Sequence, residues 1–253
     1  MDDRAARPVI AFIPPSGCGA GYFRPLRRAL GARVVFRALE LPGHGRRFEE
    51  PCLRDAAAAV RDLAGRLGGR VDAVYGESLG AYVGLALAAE LPQDRPPVLL
   101  AVSNTPPSAR ESPPTWETAD LAEAVALLTA MGGEVPAEVL EDAALSAHAF
   151  PLIRDDLLLS GSFLESLRTT RCAGDIRVLA GRDDTSTGRL GAWARHTSGR
   201  CTVVTLPGGH LLSAENPSAV AEAVLEALPR GSEDAGRAPE AARPIPPAKE
   251  STW

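Results

Sequence analysis

The stretch 73–91, AVYGESLGAYVGLALAAEL, places a serine between two glycines where an apolar run meets an alanine-rich segment. The pattern is Gly-x-Ser-x-Gly, formed by Gly76, Ser78 and Gly80. A serine on a sharp strand-to-helix turn needs such glycines, because a Cβ at either position would obstruct the close approach of strand and helix. The stretch therefore predicts a turn that strains the Ser78 backbone and exposes its hydroxyl at the N-terminus of a helix.

Strand-length apolar runs alternate with helical patterns on both sides of this stretch. Several runs are continuous in valine, isoleucine and leucine, as strands buried on both faces of a parallel sheet require. The predicted strands cover residues 8–13, 33–41, 71–75, 97–103, 175–181 and 200–208, and the predicted helices cover 21–30, 55–67, 79–91, 190–197 and 217–228. This order predicts an α/β fold with a mostly parallel sheet and helices on both faces.

Two segments depart from this order. Residues 108–170 contain no convincing strand, and their amphipathic spacing is interrupted by Gly132 and Gly133, which favours a helical insertion. Residues 230–253 are rich in proline, alanine and charge but poor in core residues, which is typical of a disordered tail. We therefore expect one domain over residues 1–229, with the helical insertion inside it.

Composition limits the function classes. The chain has 253 residues, of which 45% are hydrophobic, enough for one sizeable core. Its formal net charge of -5 argues against a protein that holds nucleic acid or an anionic membrane surface. The four cysteines lack paired spacing, so we expect neither a metal site nor a disulfide framework. No signal peptide or membrane span is recognisable, which favours a cytoplasmic protein.

A serine hydroxyl becomes a strong nucleophile when a base takes its proton and an acid orients that base. In an elbow of this kind the acid and the histidine follow the serine, on loops after later strands. His210 follows the last predicted strand, and Asp183 and Asp184 follow the strand before it. Because open α/β sheets place their sites at the carboxyl ends of the strands, we expect Ser78, an aspartate and His210 to meet there.

The remaining histidines fit this order poorly. His44 precedes the serine, His148 lies in the helical insertion, and His196 falls in or beside a helix just ahead of a strand. We interpret all three as solvated or capping residues. His210 is therefore the expected base.

An oxyanion formed at Ser78 needs two backbone N–H groups aimed at one point. Leu79, the residue after the serine, should supply one of them. In the loop after the first strand, Pro14 and Pro15 have no N–H, so Ser16 is the first residue that offers the second. Cys18 in the same loop is interpreted as an inert small residue, since no histidine is near it in sequence.

A series of motifs along the chain resembles one family. In order they are FIPPSGCGAGYFRPLRRAL, ELPGHGRRFEEP, YGESLGAYVGLALAAEL, VSNTPPS, LLTAMGGEVPAEVLED, LIRDDLLLSGSF and LPGGHLLSAENPSAVAEAV. Together they resemble the type II thioesterases that accompany polyketide synthases and nonribosomal peptide synthetases, within the α/β-hydrolase superfamily. The resemblance extends over residues 8–228 and includes the helical insertion, which distinguishes these thioesterases from general α/β-hydrolases.

The resemblance implies a function and a set of roles. It implies an editing hydrolase that removes stalled or aberrant acyl groups from the 4'-phosphopantetheine arm of acyl or peptidyl carrier proteins, and from small acyl thioesters. The implied triad is Ser78, Asp184 and His210, with no metal and no cofactor beyond the arm carried by the substrate. The lid is a separate prediction from the residues: the segment 108–170 follows the strand that ends near Ser103, so it should lie over the site, and it has more apolar positions than one packed helix face needs. It would form a lid, with Leu128, Met131 and Phe150 in the wall of an acyl chamber; a fixed cap that only packs on the sheet is the alternative.

The chain departs from the family pattern at two places. The first loop commonly reads Pro-His-Ala-Gly-Gly, whereas residues 14–18 read PPSGC. The elbow commonly reads Gly-His-Ser-Met-Gly, whereas Glu77 and Leu79 replace the histidine and methionine. Both changes keep the triad and the backbone N–H groups but alter the polarity around Ser78.

Three other functions fit the same residues. A carboxylesterase or lipase would share the triad and cleave oxygen esters. An acyltransferase or cyclase would share the acyl-enzyme and deliver it to an amine or hydroxyl. A non-catalytic binding module could use the same fold, but it would be expected to lack one of the three triad residues.

Overall fold

Six parallel strands form the sheet of this protein, in a computed structural model that describes residues 7–92 and 94–228. The strands are β1 (Val9–Ile13), β2 (Val35–Ala38), β3 (Ala73–Glu77), β4 (Val98–Val102), β5 (Ile176–Gly181) and β6 (Cys201–Leu206). Their spatial order is β2-β1-β3-β4-β5-β6, and each neighbouring pair runs parallel. The predicted α/β architecture is confirmed. The predicted tail lies outside the described residues.

Helices cover both faces of this sheet. They are α1 (Arg24–Leu30), α2 (Ala56–Arg66), α3 (Leu79–Glu90), α4 (Leu121–Ala130), α5 (Ala137–Glu141), α6 (Ala143–Ser166), α7 (Leu212–Glu215) and α8 (Pro217–Ala227). Among the helices of the described residues, none combines the length and apolar character needed to cross a membrane.

Alternation along β1 separates the two halves of the core. Ala11 and Ile13 pack in a cluster with α2, α3 and the C-terminal half of α6. Ile10 and Phe12 face the other way and pack with α1 and α8. Successive side chains of a strand point to opposite faces, so a continuous apolar run supplies both halves.

Three predicted elements show the main differences in type or extent. The chain at 190–197 forms a 3-10 helix, Leu190–His196, and the predicted helix at 21–30 begins with another, Ala20–Phe23. The predicted strand 33–41 is shortened to β2, because the 3-10 turn Gly31–Arg33 precedes it. The length of β2 is also limited by its pairing, because β2 lies at the edge of the sheet and has only β1 as its neighbour.

The segment 108–170 is largely helical from Leu121 onward, as predicted, and its parts differ in burial. Helices α4 and α5 and the N-terminal turns of α6 are largely exposed. The C-terminal half of α6 is core, since Leu159, Phe163 and Leu164 join the cluster against α3. Helices α4 and α5 therefore lie outside the main core, whereas Trp116 before them packs against it.

Candidate active site

The turn between β3 and α3 places Ser78 in a strained conformation. Its φ is 54° and its ψ is -119°, outside the regions that most side chains tolerate. A Cβ on Gly76 would overlap the carbonyl of Gly80, and a Cβ on Gly80 would overlap the carbonyl of Ile13. The glycines therefore permit the close approach that the sequence pattern predicts, and the strained turn at Ser78 is confirmed.

The structure brings three of the predicted side chains into one hydrogen-bonded series. The Ser78 Oγ lies 3.0 Å from His210 Nε2, and His210 Nδ1 lies 2.9 Å from Asp184 Oδ2. A carboxylate only accepts hydrogen bonds, so Nδ1 carries a proton and Nε2 is left to accept the proton of Ser78. Asp183 is exposed, so the geometry selects Asp184 as the partner of His210.

Ser186 supports Asp184 and was not identified from the sequence. Its backbone N–H and its hydroxyl both donate to Asp184 Oδ1, at 2.9 and 2.6 Å, and its Oγ lies 3.1 Å from His210 Nδ1. Burial alone would raise the pKa of Asp184, but hydrogen bonds from His210 and Ser186 outweigh it and hold that pKa below its ordinary value. The Asp-x-Ser spacing, typical of a side-chain turn, was the available signal.

Asn104 holds the serine turn from the next strand. Its Nδ2 donates to the carbonyl of Ser78 at 2.7 Å, and Arg110 donates to its Oδ1 at 3.0 Å. The indole N–H of Trp193 donates to the backbone carbonyl of Asn104 at 3.0 Å. A polar residue two positions after the buried strand β4 was the signal for this contact, because the carboxyl ends of parallel strands share an edge.

The two predicted oxyanion donors stay available in the structure. Within residues 7–92 and 94–228, neither the Ser16 N–H nor the Leu79 N–H is used in a hydrogen bond. Leu79 begins α3, whose first N–H groups point away from the helix. Ser16 follows β1, whose end contacts the start of α3 through the close approach of Ile13 and Gly80. Their role as the oxyanion hole remains a prediction.

Glu77, next to the serine, has a fully buried carboxyl group. The N–H of Ser213 donates to its Oε1 at 3.1 Å, and the Ser213 hydroxyl donates to its Oε2. The hydroxyl of Tyr75 then donates to Ser213 Oγ at 2.5 Å. Because Ser213 lies three residues after His210, this network ties the histidine loop to β3. Burial raises the pKa of Glu77 to about 7, against the opposing hydrogen bonds from Ser213.

This buried carboxyl predicts a pH-dependent stability. A carboxyl whose pKa is raised on folding contributes stability that is complete below its unfolded pKa and is lost as pH rises through the folded pKa. We expect the free energy of unfolding to fall by up to about 3 kcal/mol between about pH 5 and about pH 8 on account of Glu77. Glu77→Gln should remove this loss, measured by denaturant unfolding at both pH values.

The matched control is Glu226→Gln, which changes an exposed carboxylate paired with Arg177. This variant should keep the pH dependence of the parent chain. An unchanged pH dependence in Glu77→Gln would show that Glu77 is ionised throughout this range.

Two of the other histidines are buried, which corrects their interpretation as solvated or capping residues. His44 is 4% exposed and contacts Asp156 on α6. His196 is 1% exposed, and its ring bonds to the carbonyl of Thr170 and the hydroxyl of Ser108. His44 lies in the turn before Gly45, and His196 ends the 3-10 helix Leu190–His196. The burial of both depends on segments distant in sequence. His148 is exposed on α6, as expected.

The helical segment contacts the site at the end of α4. Gly132 has a φ of +93°, and a Cβ there would overlap both His210 and Ser186. Leu128, Met131 and Phe150 lie in one apolar cluster with Ile153 and Leu157. The segment therefore lies against the histidine, and the role of its three predicted wall residues remains a prediction.

Cys18 lies near the site in the loop after β1. Burial raises the pKa of its thiol to about 12, assisted by the charges of Asp156 and Glu77. A thiol with so high a pKa is protonated at neutral pH and is a weak nucleophile. The chemistry of its surroundings agrees with its interpretation as inert.

Comparison with known proteins gives a consistent set of matches. The family model described as a thioesterase domain matches residues 7–228. The chain is 31% identical over 216 residues to the AMB antimetabolite synthetase AmbE of Pseudomonas aeruginosa, covering 81% of this chain and 10% of that protein. It is 29% identical to a probable cadicidin biosynthesis thioesterase of Streptomyces griseus, covering 85% of this chain and 61% of that protein. The chain thus spans less than two thirds of either relative.

A solved structure of similar fold is that of the type II thioesterase BorB from the borrelidin biosynthetic cluster. It superposes with a TM-score of 0.73 at 28% identity, covering 89% of this chain and 94% of that one.

Proposed function

This chain belongs to the thioesterase domain family, and we propose that it is an editing, type II thioesterase of polyketide or nonribosomal peptide biosynthesis. The observation that carries the proposal is the hydrogen-bonded series from Ser78 through His210 to Asp184. The likeness to BorB, described as a type II thioesterase, supports the type. The proposed substrates are stalled or aberrant acyl groups on the 4'-phosphopantetheine arm of acyl or peptidyl carrier proteins.

The proposed reaction proceeds through an acyl-enzyme. The Ser78 oxygen attacks the thioester carbonyl carbon as its proton passes to His210 Nε2, and Asp184 stabilises the resulting imidazolium. The N–H groups of Leu79 and Ser16 donate to the oxyanion. The C–S bond then breaks, and the leaving pantetheine sulfur takes the proton from His210. Water repeats these steps on the acyl-enzyme and releases a carboxylic acid and free Ser78. No metal ion or diffusible cofactor takes part in this scheme.

The first test compares carrier-bound and free substrates. Contacts remote from the thioester help to position it, so the carrier-bound form of an acyl group should have a kcat/KM at least about tenfold above that of the same group on N-acetylcysteamine. Deacylation of a panel of acyl-loaded carrier proteins, followed by mass, measures the first rate. Equal rates on both forms, with faster cleavage of oxygen esters, would favour the general esterase.

We also propose that the helical segment 108–170 forms the wall of the acyl chamber. Gly132 lies against His210. Leu128, Met131 and Phe150 belong to one apolar cluster formed by α4, α6 and the residues between them. Apolar side chains beside a nucleophile are the usual lining of a site for an acyl chain. Helices with glycine breaks can also move as a lid.

A second test concerns chain-length preference. Leu128→Gln and Phe150→Gln should each change the ratio of kcat/KM for long and short acyl chains by about three- to tenfold, because each methylene in an apolar wall contributes to discrimination. The control is Leu145→Gln, which alters a residue that is 48% exposed on the same segment. Labelling of Ser78 should persist in all three variants. An unchanged ratio of kcat/KM for long and short chains would indicate that the segment is a fixed cap.

A further inference from the structure

A buried pair of charges joins α6 to the loops that follow β1 and β2. Asp156 on α6 is 1% exposed, and its Oδ2 accepts the backbone N–H of Gly17 at 2.7 Å. The same oxygen lies 3.0 Å from Nε2 of His44, which is also buried. One carboxylate oxygen therefore holds two loops, which lie 139 and 112 residues from Asp156 in sequence, and one of them contains Ser16.

The contacts of His44 define its protonation. Its Nδ1 lies 2.9 Å from the carbonyl oxygen of Pro42, which can only accept a hydrogen bond. Its Nε2 faces the Asp156 carboxylate, which also only accepts. These two acceptors favour a ring that donates from both nitrogens, an imidazolium paired with a carboxylate. Burial alone would lower the pKa of His44, but the hydrogen bond and charge of Asp156 outweigh it and raise that pKa above its ordinary value.

The bond to Gly17 fixes the loop beside the proposed oxyanion donor. Gly17 is exposed with a φ of +71°, and a Cβ there would meet nothing within 4 Å. Side-chain packing therefore does not hold this residue in place. The loop is closed by the Cys18 N–H, which donates to the carbonyl of Pro15 at 3.2 Å, and is anchored to α6 by Asp156. Ser16 and Gly17 are the two central residues of this turn, so the bond to the Gly17 N–H also holds Ser16 in place.

We propose that Asp156, paired with protonated His44, is a positioning residue that aims the Ser16 N–H at the oxyanion formed on Ser78. The inference rests on the acyl-enzyme chemistry proposed above, and it is independent of which acyl carrier is used. A carboxylate near a developing oxyanion would repel it. The proton on His44 removes this penalty, because the pair as a whole is neutral while Asp156 still accepts the N–H of Gly17.

The pair of His44 and Asp156 predicts that kcat declines at alkaline pH, where His44 loses its proton. When His44 loses its proton, it can no longer donate to both Pro42 and Asp156, and the Asp156 charge is uncompensated. The other carboxylate acting on His44 is Glu40, whose oxygens accept the N–H groups of Ala20 and Arg46.

Two thiols also adjoin Asp156, those of Cys18 and Cys52. Burial raises the pKa of each, that of Cys18 to about 12. Burial also raises the pKa of Glu77 to about 7, but Glu77 lies in a separate network with Ser213. An alkaline decline in activity caused by ionisation of Glu77 would therefore persist when Asp156 is replaced.

The experiment measures kcat and KM for p-nitrophenyl butyrate, which any serine esterase of this fold should cleave, over a range of pH. Active Ser78 is counted by fluorophosphonate labelling. Asp156→Ala should lower kcat per active site by about ten- to a hundredfold, with KM changed by less than about twofold, because the loss is of transition-state stabilisation. Asp156→Asn keeps an oxygen acceptor for Gly17 and should recover part of kcat.

The pH arm separates positioning from stability. In Asp156→Asn and in His44→Gln the alkaline decline should disappear, because no charged pair remains to lose its proton. The control is Asp155→Ala, the neighbouring residue on α6, which pairs with Arg54 and Arg154. It should keep kcat within about twofold of the parent and retain the decline. If Asp156→Ala does not fold, the two conservative variants carry the test.

Three outcomes would contradict the proposal. Folded Asp156→Ala with the parent's kcat per active site would show that the carboxylate does not position the loop. An alkaline decline that persists in both conservative variants would assign it to another group, such as Glu77. A parent chain that neither cleaves the ester nor labels at Ser78 would instead overturn the proposed acyl-enzyme itself, and this inference with it.

Discussion

Ser78→Ala is expected to lower thioester hydrolysis by about a thousandfold or more, since loss of a triad nucleophile leaves only the contributions of binding and the oxyanion donors. The strained elbow holds the Ser78 oxygen 3.0 Å from His210 Nε2, and alanine removes that oxygen while leaving the turn intact. The measurement is kcat/KM on an acyl N-acetylcysteamine thioester, together with covalent labelling by a fluorophosphonate. The variant should not be labelled.

The control for this prediction is Cys18→Ala. Cys18 is another side chain near the site that could act as a nucleophile, and burial keeps its thiol protonated by raising its pKa to about 12. The control should label and turn over at nearly the rate of the parent. Labelling that survives in Ser78→Ala but is lost in Cys18→Ala would transfer the nucleophile to the thiol.

The adjacent aspartates should differ sharply when each is replaced by asparagine. Asp184→Asn is expected to reduce kcat by about a thousand- to ten-thousandfold. Asp184 Oδ2 accepts the Nδ1–H of His210 at 2.9 Å. An asparagine amide can donate there instead, which favours the tautomer whose proton is on Nε2 and which cannot accept the proton of Ser78. Steady-state kinetics, with the melting temperature measured in parallel, tests this.

Asp183→Asn is the matched comparison. Asp183 is exposed, and its structural contact is a backbone N–H that donates to the carbonyl of Gly208 at 2.9 Å, which the substitution leaves in place. We expect a change of less than about twofold in kcat, as for most exposed substitutions. A large loss in Asp183→Asn with little loss in Asp184→Asn would reverse the assignment made from the geometry.

The sequence by itself determined the layered fold and the order of the principal site residues. Continuous apolar runs such as β1 require burial on both faces, and the alternation of runs and helical patterns specifies a parallel sheet. Gly76 and Gly80 predict the strained turn because their lack of a Cβ is a local steric property. His210 follows from the requirement that the base lie after a strand later than Ser78. Each of these inferences depends on interactions within a few residues or on a repeating pattern.

The tertiary structure decided the choices that depend on contacts between distant segments. The spacing by itself allows either Asp183 or Asp184 as the acid, and the family resemblance pointed to Asp184. The path of the chain then turns Asp184 toward His210 and Asp183 toward solvent. His44 and Asp156 are 112 residues apart, and a histidine in a turn carries no local sign that a carboxylate on α6 covers it. The same holds for Glu77 and Ser213, 136 residues apart. Burial and the partner of a polar side chain are set by whichever segments fold against it, and local sequence does not contain that information.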